Sequence, residues 1–61
     1  MIDADKTNAD LAEVLKDGSW ISVSHDVDKG YRAFTQSEQG WGETPIEALQ
    51  ELARKELKKR E

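Results

Sequence analysis

Residues 20–36 read Trp20-Ile21-Ser22-Val23-Ser24-His25-Asp26-Val27-Asp28-Lys29-Gly30-Tyr31-Arg32-Ala33-Phe34-Thr35-Gln36, and their alternation decides the fold. Large and small side chains change places with period two on both sides of Asp28-Lys29-Gly30, as half-buried strands require. The spacing predicts one strand over 20–25, bounded by Gly18, and a return strand over 31–36. Between them Asp28-Lys29-Gly30 suits a type I turn followed by glycine in a G1 bulge. That turn pairs Val27 with Tyr31, His25 with Ala33 and Val23 with Thr35. Ile21, Val23, Val27, Tyr31 and Ala33 then share one face of the ribbon. Trp20, Ser22, Ser24, Arg32, Phe34 and Gln36 share the other. Gln39-Gly40-Trp41-Gly42 fits either a short third strand or a glycine-flanked loop.

A helix is expected on each side of this ribbon. The first is predicted to start after Thr7, with Thr7 as cap, Asp10 completing an approximate capping box and Gly18 at the left-handed C′ position. Leu11, Val14 and Leu15 form its apolar stripe with Ala12 beside them, and residues 1–6 read as a frayed lead-in from which Ile2 alone would dock. The second helix has the stronger start. Thr44-Pro45-Ile46-Glu47 combines an N-cap, a proline at N1 and a glutamate at N3. Ile46, Leu49, Leu52, Ala53 and Leu57 make its apolar face, Ala48 permits close approach, and Glu51–Lys55 and Glu56–Arg60 stand at i, i+4. The predicted class is α+β, in the order α-β-β-(β)-α. It is one domain over 7–61, with a two- or three-stranded antiparallel sheet and both helices on one face.

Composition bounds what such a domain does. Its 61 residues include no cysteine, which excludes a disulfide scaffold, thiolate metal sites and a cysteine nucleophile. Fifteen sizeable apolar side chains sit near the lower limit for independent folding, so a homodimer is a reasonable expectation. No apolar run approaches the roughly 18 residues of a membrane span, and the acidic N-terminus does not read as a signal peptide. A cytoplasmic location without membrane contact is expected. Net charge is −4. Residues 1–51 hold eleven acids against four bases, and residues 52–61 hold five bases and two acids. A body this acidic repels phosphate, so nucleic acid is not the expected partner. The basic tail instead complements the negative end of the last helix.

Catalytic chemistry finds little footing. His25 is the single histidine, and alternation turns it away from Ser22 and Ser24, leaving those hydroxyls without a base. His25 with Asp26 and Asp28 is too sparse for zinc. Asp26-x-Asp28-x-Gly30 places its glycine one position early for a calcium loop, and Ser37 stands where the bidentate glutamate belongs. No enzyme activity, metal or cofactor is expected. The face carrying Trp20, Arg32 and Phe34 has two aromatics among serines and an arginine, which is unusual for a surface facing water. Two readings of it stand: Trp20 folds round the sheet edge against Trp41 to complete the core, or the face docks a partner. On the second reading Trp20, Arg32 and Phe34 are the anchors, with Asp17, Asp26 and Asp28 as electrostatic complement.

Four resemblances attach to these residues. The run from Leu11 to Leu57, through Val14-Leu15, Trp20-Ile21-Ser22-Val23, Tyr31-Arg32-Ala33-Phe34 and Thr44-Pro45-Ile46-Glu47-Ala48-Leu49, resembles the phage ABA-sandwich domain family. That resemblance implies phage or prophage origin and no activity. The stretch Leu15-Lys16-Asp17-Gly18-Ser19-Trp20-Ile21-Ser22-Val23-Ser24-His25 is similar to a segment of small acidic anti-CRISPR proteins acting on type I systems. It implies stoichiometric inhibition of a host complex, with Asp10, Glu13, Asp17, Asp26 and Asp28 imitating DNA phosphates. The segment from Tyr31 onward is similar to Hic-type antitoxins, of which only the toxin-covering half is expected. The element order also resembles double-stranded-RNA-binding domains. Here Thr44-Pro45-Ile46 stands where that family presents lysines, which removes its main RNA contact.

Overall fold

The computed structural model describes residues 4–16 and 18–59. Two helices and a three-stranded antiparallel sheet follow in the order α1 (Ala4–Leu15), β1 (Ser22–Asp26), β2 (Gly30–Phe34), β3 (Gln39–Gly42) and α2 (Pro45–Lys59). The class is α+β, with β2 in the middle of the sheet. The undecided stretch over 39–42 is a true strand, paired with β2 through Arg32↔Trp41 and Ala33↔Gly40.

The start of α2 follows its sequence signal closely. The Glu47 amide donates to Thr44 Oγ1 at 3.3 Å, which caps the helix, and that hydroxyl in turn donates to Glu47 Oε1 at 3.1 Å. Behind Pro45 the helix runs unbroken to Lys59, and Ala48, Leu52 and Ala53 are buried along one side. Ala48 and Leu52 meet Ala33 of β2, while Ile21, Tyr31 and Leu49 pack round them. Gly40 and Gly42 make the close approach of α2 to β3 possible. A Cβ built on Gly40 would stand 2.5 Å from the Leu52 amide nitrogen and 2.7 Å from the Ala48 carbonyl oxygen. The strand is glycine-rich because helix backbone occupies the space of its side chains.

Four expectations change. Helix α1 begins at Ala4, not after Thr7, so the described part of the expected lead-in, residues 4–6, is its first turn. Thr7 is not a cap: it is 1% exposed and its hydroxyl donates to Gln50 Oε1 of α2 at 3.2 Å. Asp5 provides the acid in the first turn, and Lys6 pairs with Asp10 at 3.3 Å instead of Asp10 closing a capping box. The inward stripe is accordingly rotated to Thr7 and Val14, both buried, with Leu11 half-buried between them, leaving Leu15 exposed. Gly18 does hold the left-handed conformation expected of it, with φ +87°.

The hairpin register differs by two residues. His25 faces Tyr31 and Val23 faces Ala33, because the Asp26 carboxylate takes the amides of Asp28 (2.9 Å) and Lys29 (3.3 Å) and so starts the turn earlier. Gly30 closes the turn at φ +94°. Val27, expected on the inward face, stands at the tip and is 92% exposed. Since the shift is even, every other strand residue keeps its face.

On α2, the partner expected for Glu56 at i, i+4, Arg60, lies outside the described residues, as does Ile2. Glu56 itself is 4% exposed and turned into the protein. Lys55 leaves Glu51 and donates to the Gln39 carbonyl oxygen at 2.9 Å, while Arg54 takes Glu51. No helix among the described residues is long and apolar enough to cross a membrane.

Candidate protein-docking face

The sheet has two unlike sides. Toward α2 lie the rows Val23–Ala33–Gly40 and His25–Tyr31–Gly42. Away from α2 lie Ser22–Phe34–Gln39 and Ser24–Arg32–Trp41. Alternation of Cβ direction is sufficient to produce this split.

On the reverse side the large residues form a connected row. Trp20, half exposed, meets the Phe34 ring edge-on, with centroids 5.9 Å apart and planes at 87°. The Arg32 guanidinium lies 4.6 Å from the Phe34 centroid and 5.7 Å from that of Trp41. Lys29, from the turn, sets its Nζ 5.7 Å from the Trp41 ring. Each such cation–ring contact contributes about 0.5–1 kcal/mol where exposed. The Trp20–Trp41 pairing that would complete a core does not form, since β1 and β3 flank β2 on opposite sides with Arg32 between the two indoles.

Arg32 carries the chemistry of this face. Among the described residues no carboxylate forms an ion pair with it, and its Nε is buried without a hydrogen-bond partner. A guanidinium seated over aromatic rings presents a planar donor fork that suits bidentate capture of a carboxylate. Beside it, Arg32, Phe34, Thr35, Ser37, Glu38 and Gln39 border a shallow depression of about 430 Å³.

The turn that carries the chain from β2 to β3 is fixed from beneath. Thr35 Oγ1 accepts from the amides of Ser37 (3.2 Å) and Glu38 (3.1 Å), and donates to Glu56 Oε1 at 3.4 Å. Ser37 Oγ donates to the same carboxylate oxygen at 3.0 Å. Lys59 donates to Ser37 Oγ at 2.9 Å and lies 3.8 Å from both Glu38 and Glu56. Glu56 thereby sets where β3 begins and where Trp41 falls.

Of the expected docking residues, the fold brings Trp20, Arg32 and Phe34 together and adds Trp41 and Lys29. Trp41 left a signal in the Gln39-x-Trp41 alternation, obscured by flanking glycines. The carboxylates do not gather with them. Asp26 is engaged inside the turn, Asp28 is exposed at its tip, and Asp17 lies outside the described residues. His25 is exposed and stacks on Tyr31, centroids 4.6 Å apart, on the α2 side of the sheet. Among the described residues no group of three or more histidines and carboxylates has the arrangement of a metal site. Comparison with family models, with curated proteins and with solved structures gives no match. What the fold and the face define is a small α+β domain with an aromatic and cationic sheet surface opposite its helices.

Proposed function

We propose that the chain is a non-enzymatic binding module that occupies the surface of a partner protein through the reverse face of its sheet. The supporting observation is the row Trp20–Phe34–Arg32–Trp41, where the half-exposed Trp20 indole meets the Phe34 ring and the Arg32 guanidinium, its Nε without a hydrogen-bond partner, lies over Phe34 and near Trp41. Aromatic rings and arginine are the groups that concentrate binding energy at protein interfaces. On this reading the rings hold the complex and Arg32 receives a carboxylate from the partner. Acidic residues elsewhere on the chain act at longer range, on encounter and partner choice.

The finer reading follows the resemblances: a phage-derived inhibitor of a host antiviral complex, acting by stoichiometric contact. Its test is independent of the face. Expression of the chain in cells whose type I CRISPR system restricts a phage should restore plating, and unchanged plating removes the inhibitor reading.

The docking reading is tested with Trp20→Ala/Phe34→Ala. Two truncated hot-spot rings should weaken capture of the partner from a bacterial lysate by about 1,000-fold, at roughly 2 kcal/mol per ring. Far-ultraviolet circular dichroism of the variant should stay close to that of the parent. Capture that survives the double substitution, or global unfolding of the variant, contradicts the proposal.

A further inference from the structure

We infer that the chain forms a two-fold dimer by antiparallel pairing of β1 with β1 of a second copy, joining two three-stranded sheets into one of six. Among the described residues the exposed large apolar side chains are Leu15 (46%), Trp20 (50%), Val23 (42%) and Val27 (92%), and the last three lie in β1 or within two residues of it. Helix α2 covers β2 and β3, and no comparable helix contact reaches β1. Among the described residues the buried apolar core is Val14, Leu52 and three alanines, Ala33, Ala48 and Ala53. A domain this small gains most from burying further surface at that edge.

The two edges of the sheet differ in how they are guarded. At β3, Lys55 crosses to the Gln39 carbonyl oxygen, so a lysine sits on that edge. At β1 the run Trp20–His25 contains no lysine, arginine or proline, the residues that keep edge strands from pairing with other chains. The same run carries no formal charge with His25 neutral, whereas the chain as a whole is at −4 and repels its own copy elsewhere. The formal charge of β1 is confined to Asp26 at its end, whose carboxylate is engaged by the Asp28 and Lys29 amides, and an edge otherwise uncharged favours a second copy over a strongly charged partner.

Self-pairing about Ser24 is also complementary residue by residue. A two-fold axis there sets Ser24 opposite Ser24, Val23 opposite His25 and Ser22 opposite Asp26, so no like charges face each other. The reverse faces of the two sheets become continuous, and each dimer presents two Trp20–Phe34–Arg32 rows side by side.

Sedimentation equilibrium and single-cysteine crosslinking test the dimer and its register. The parent should sediment at twice its 6.9 kDa. Ser24→Lys, which puts two ammonium groups on the axis, should sediment as monomer with an unchanged circular dichroism spectrum. Because the chain has no cysteine of its own, Ser24→Cys should crosslink on mild oxidation, directly opposed Cβ atoms at about 4.5–5.5 Å needing only a small strand shift to reach the roughly 3.5–4.5 Å of a disulfide. Val27→Cys should not crosslink, since this register sets Val27 opposite Ile21. A parent that stays monomeric up to about 1 mM overturns the inference. So does a dimer that survives Ser24→Lys, or crosslinking through Val27→Cys. A dimer abolished by Trp20→Ala/Phe34→Ala but kept by Ser24→Lys places self-association on the aromatic face and overturns it as well.

Discussion

Gly40→Ala should leave the chain largely unfolded at 25 °C. The added methyl would stand 2.5 Å from the Leu52 amide nitrogen, 2.7 Å from the Ala48 carbonyl oxygen and 3.0 Å from the Glu51 Cβ. Two of these are helix backbone atoms, and neither can rotate away. Relief requires α2 to lift from β3 by the better part of an ångström. That separation would loosen the contacts of Ala48 and Leu52 with Ala33, the centre of the core. Overpacking ordinarily costs 1–3 kcal/mol, and a clash with backbone on both sides belongs at or above about 3 kcal/mol. A domain of 61 residues has only about 3–9 kcal/mol of stability to lose. Gly18→Ala is the informative contrast. No atom lies within 4 Å of its Cβ, so only the positive φ of +87° is strained, and the loss should be about 1 kcal/mol. Urea denaturation of the two variants measures the difference. Equal midpoints would mean that α2 does not lie on β3 as described.

Glu56→Ala should lower stability by about 2–3 kcal/mol, a large share of the reserve of so small a domain. The substitution removes the acceptor for Thr35 Oγ1 and Ser37 Oγ and an ion-pair partner of Lys59. Thr35 is 6% exposed, so water does not readily replace the lost acceptor. A bond to a charged group is worth about 1.5–3 kcal/mol, and an orphaned buried donor adds its own desolvation cost. Glu56→Gln keeps an acceptor oxygen in place and should lose under about 1 kcal/mol. At roughly 4–8 °C per kcal/mol for this size, the alanine variant should melt some 10 °C or more below the parent. An alanine variant as stable as the parent would show that the turn after β2 holds its shape without Glu56.

Both effects arise from residues whose part is invisible in local sequence. Read along α2, Glu56 looks like half of an i, i+4 surface pair, because only the fold brings Thr35 and Ser37 beneath it. Gly40 and Gly42 look like loop glycines, since the reason for a missing side chain is the helix that takes its place. Thr7 is the same case reversed. A threonine before an apolar stripe has the chemistry of a cap, and only Gln50 across the helix pair turns it into an interior residue. By contrast Thr44-Pro45-Ile46-Glu47 is legible because both partners in its cap lie within four residues.

The docking face was legible for a related reason. Strand side chains alternate with period two, so a register error of two residues left Trp20, Arg32 and Phe34 on their expected side. The acidic complement was not legible to the same degree. Asp26 has its oxygen aimed at the Asp28 and Lys29 amides, a local competition between turn and surface that charge counting does not see. Trp41 joined the face only once β3 had a partner strand. The β1 edge follows the same logic, because Val23 and Val27 are ordinary strand residues until the fold leaves them outside the cover of α2.

The central claim is that the sheet is covered by helices on one side only. Solvent paramagnetic relaxation of the free protein by a soluble gadolinium chelate measures it residue by residue. The Trp20 indole N–H should relax as fast as surface amides, while the methyl groups of Leu52 and Val14 stay protected. A Trp20 indole as protected as those methyl groups would mean that its ring lies within a closed core, and no open face would remain for a partner to occupy.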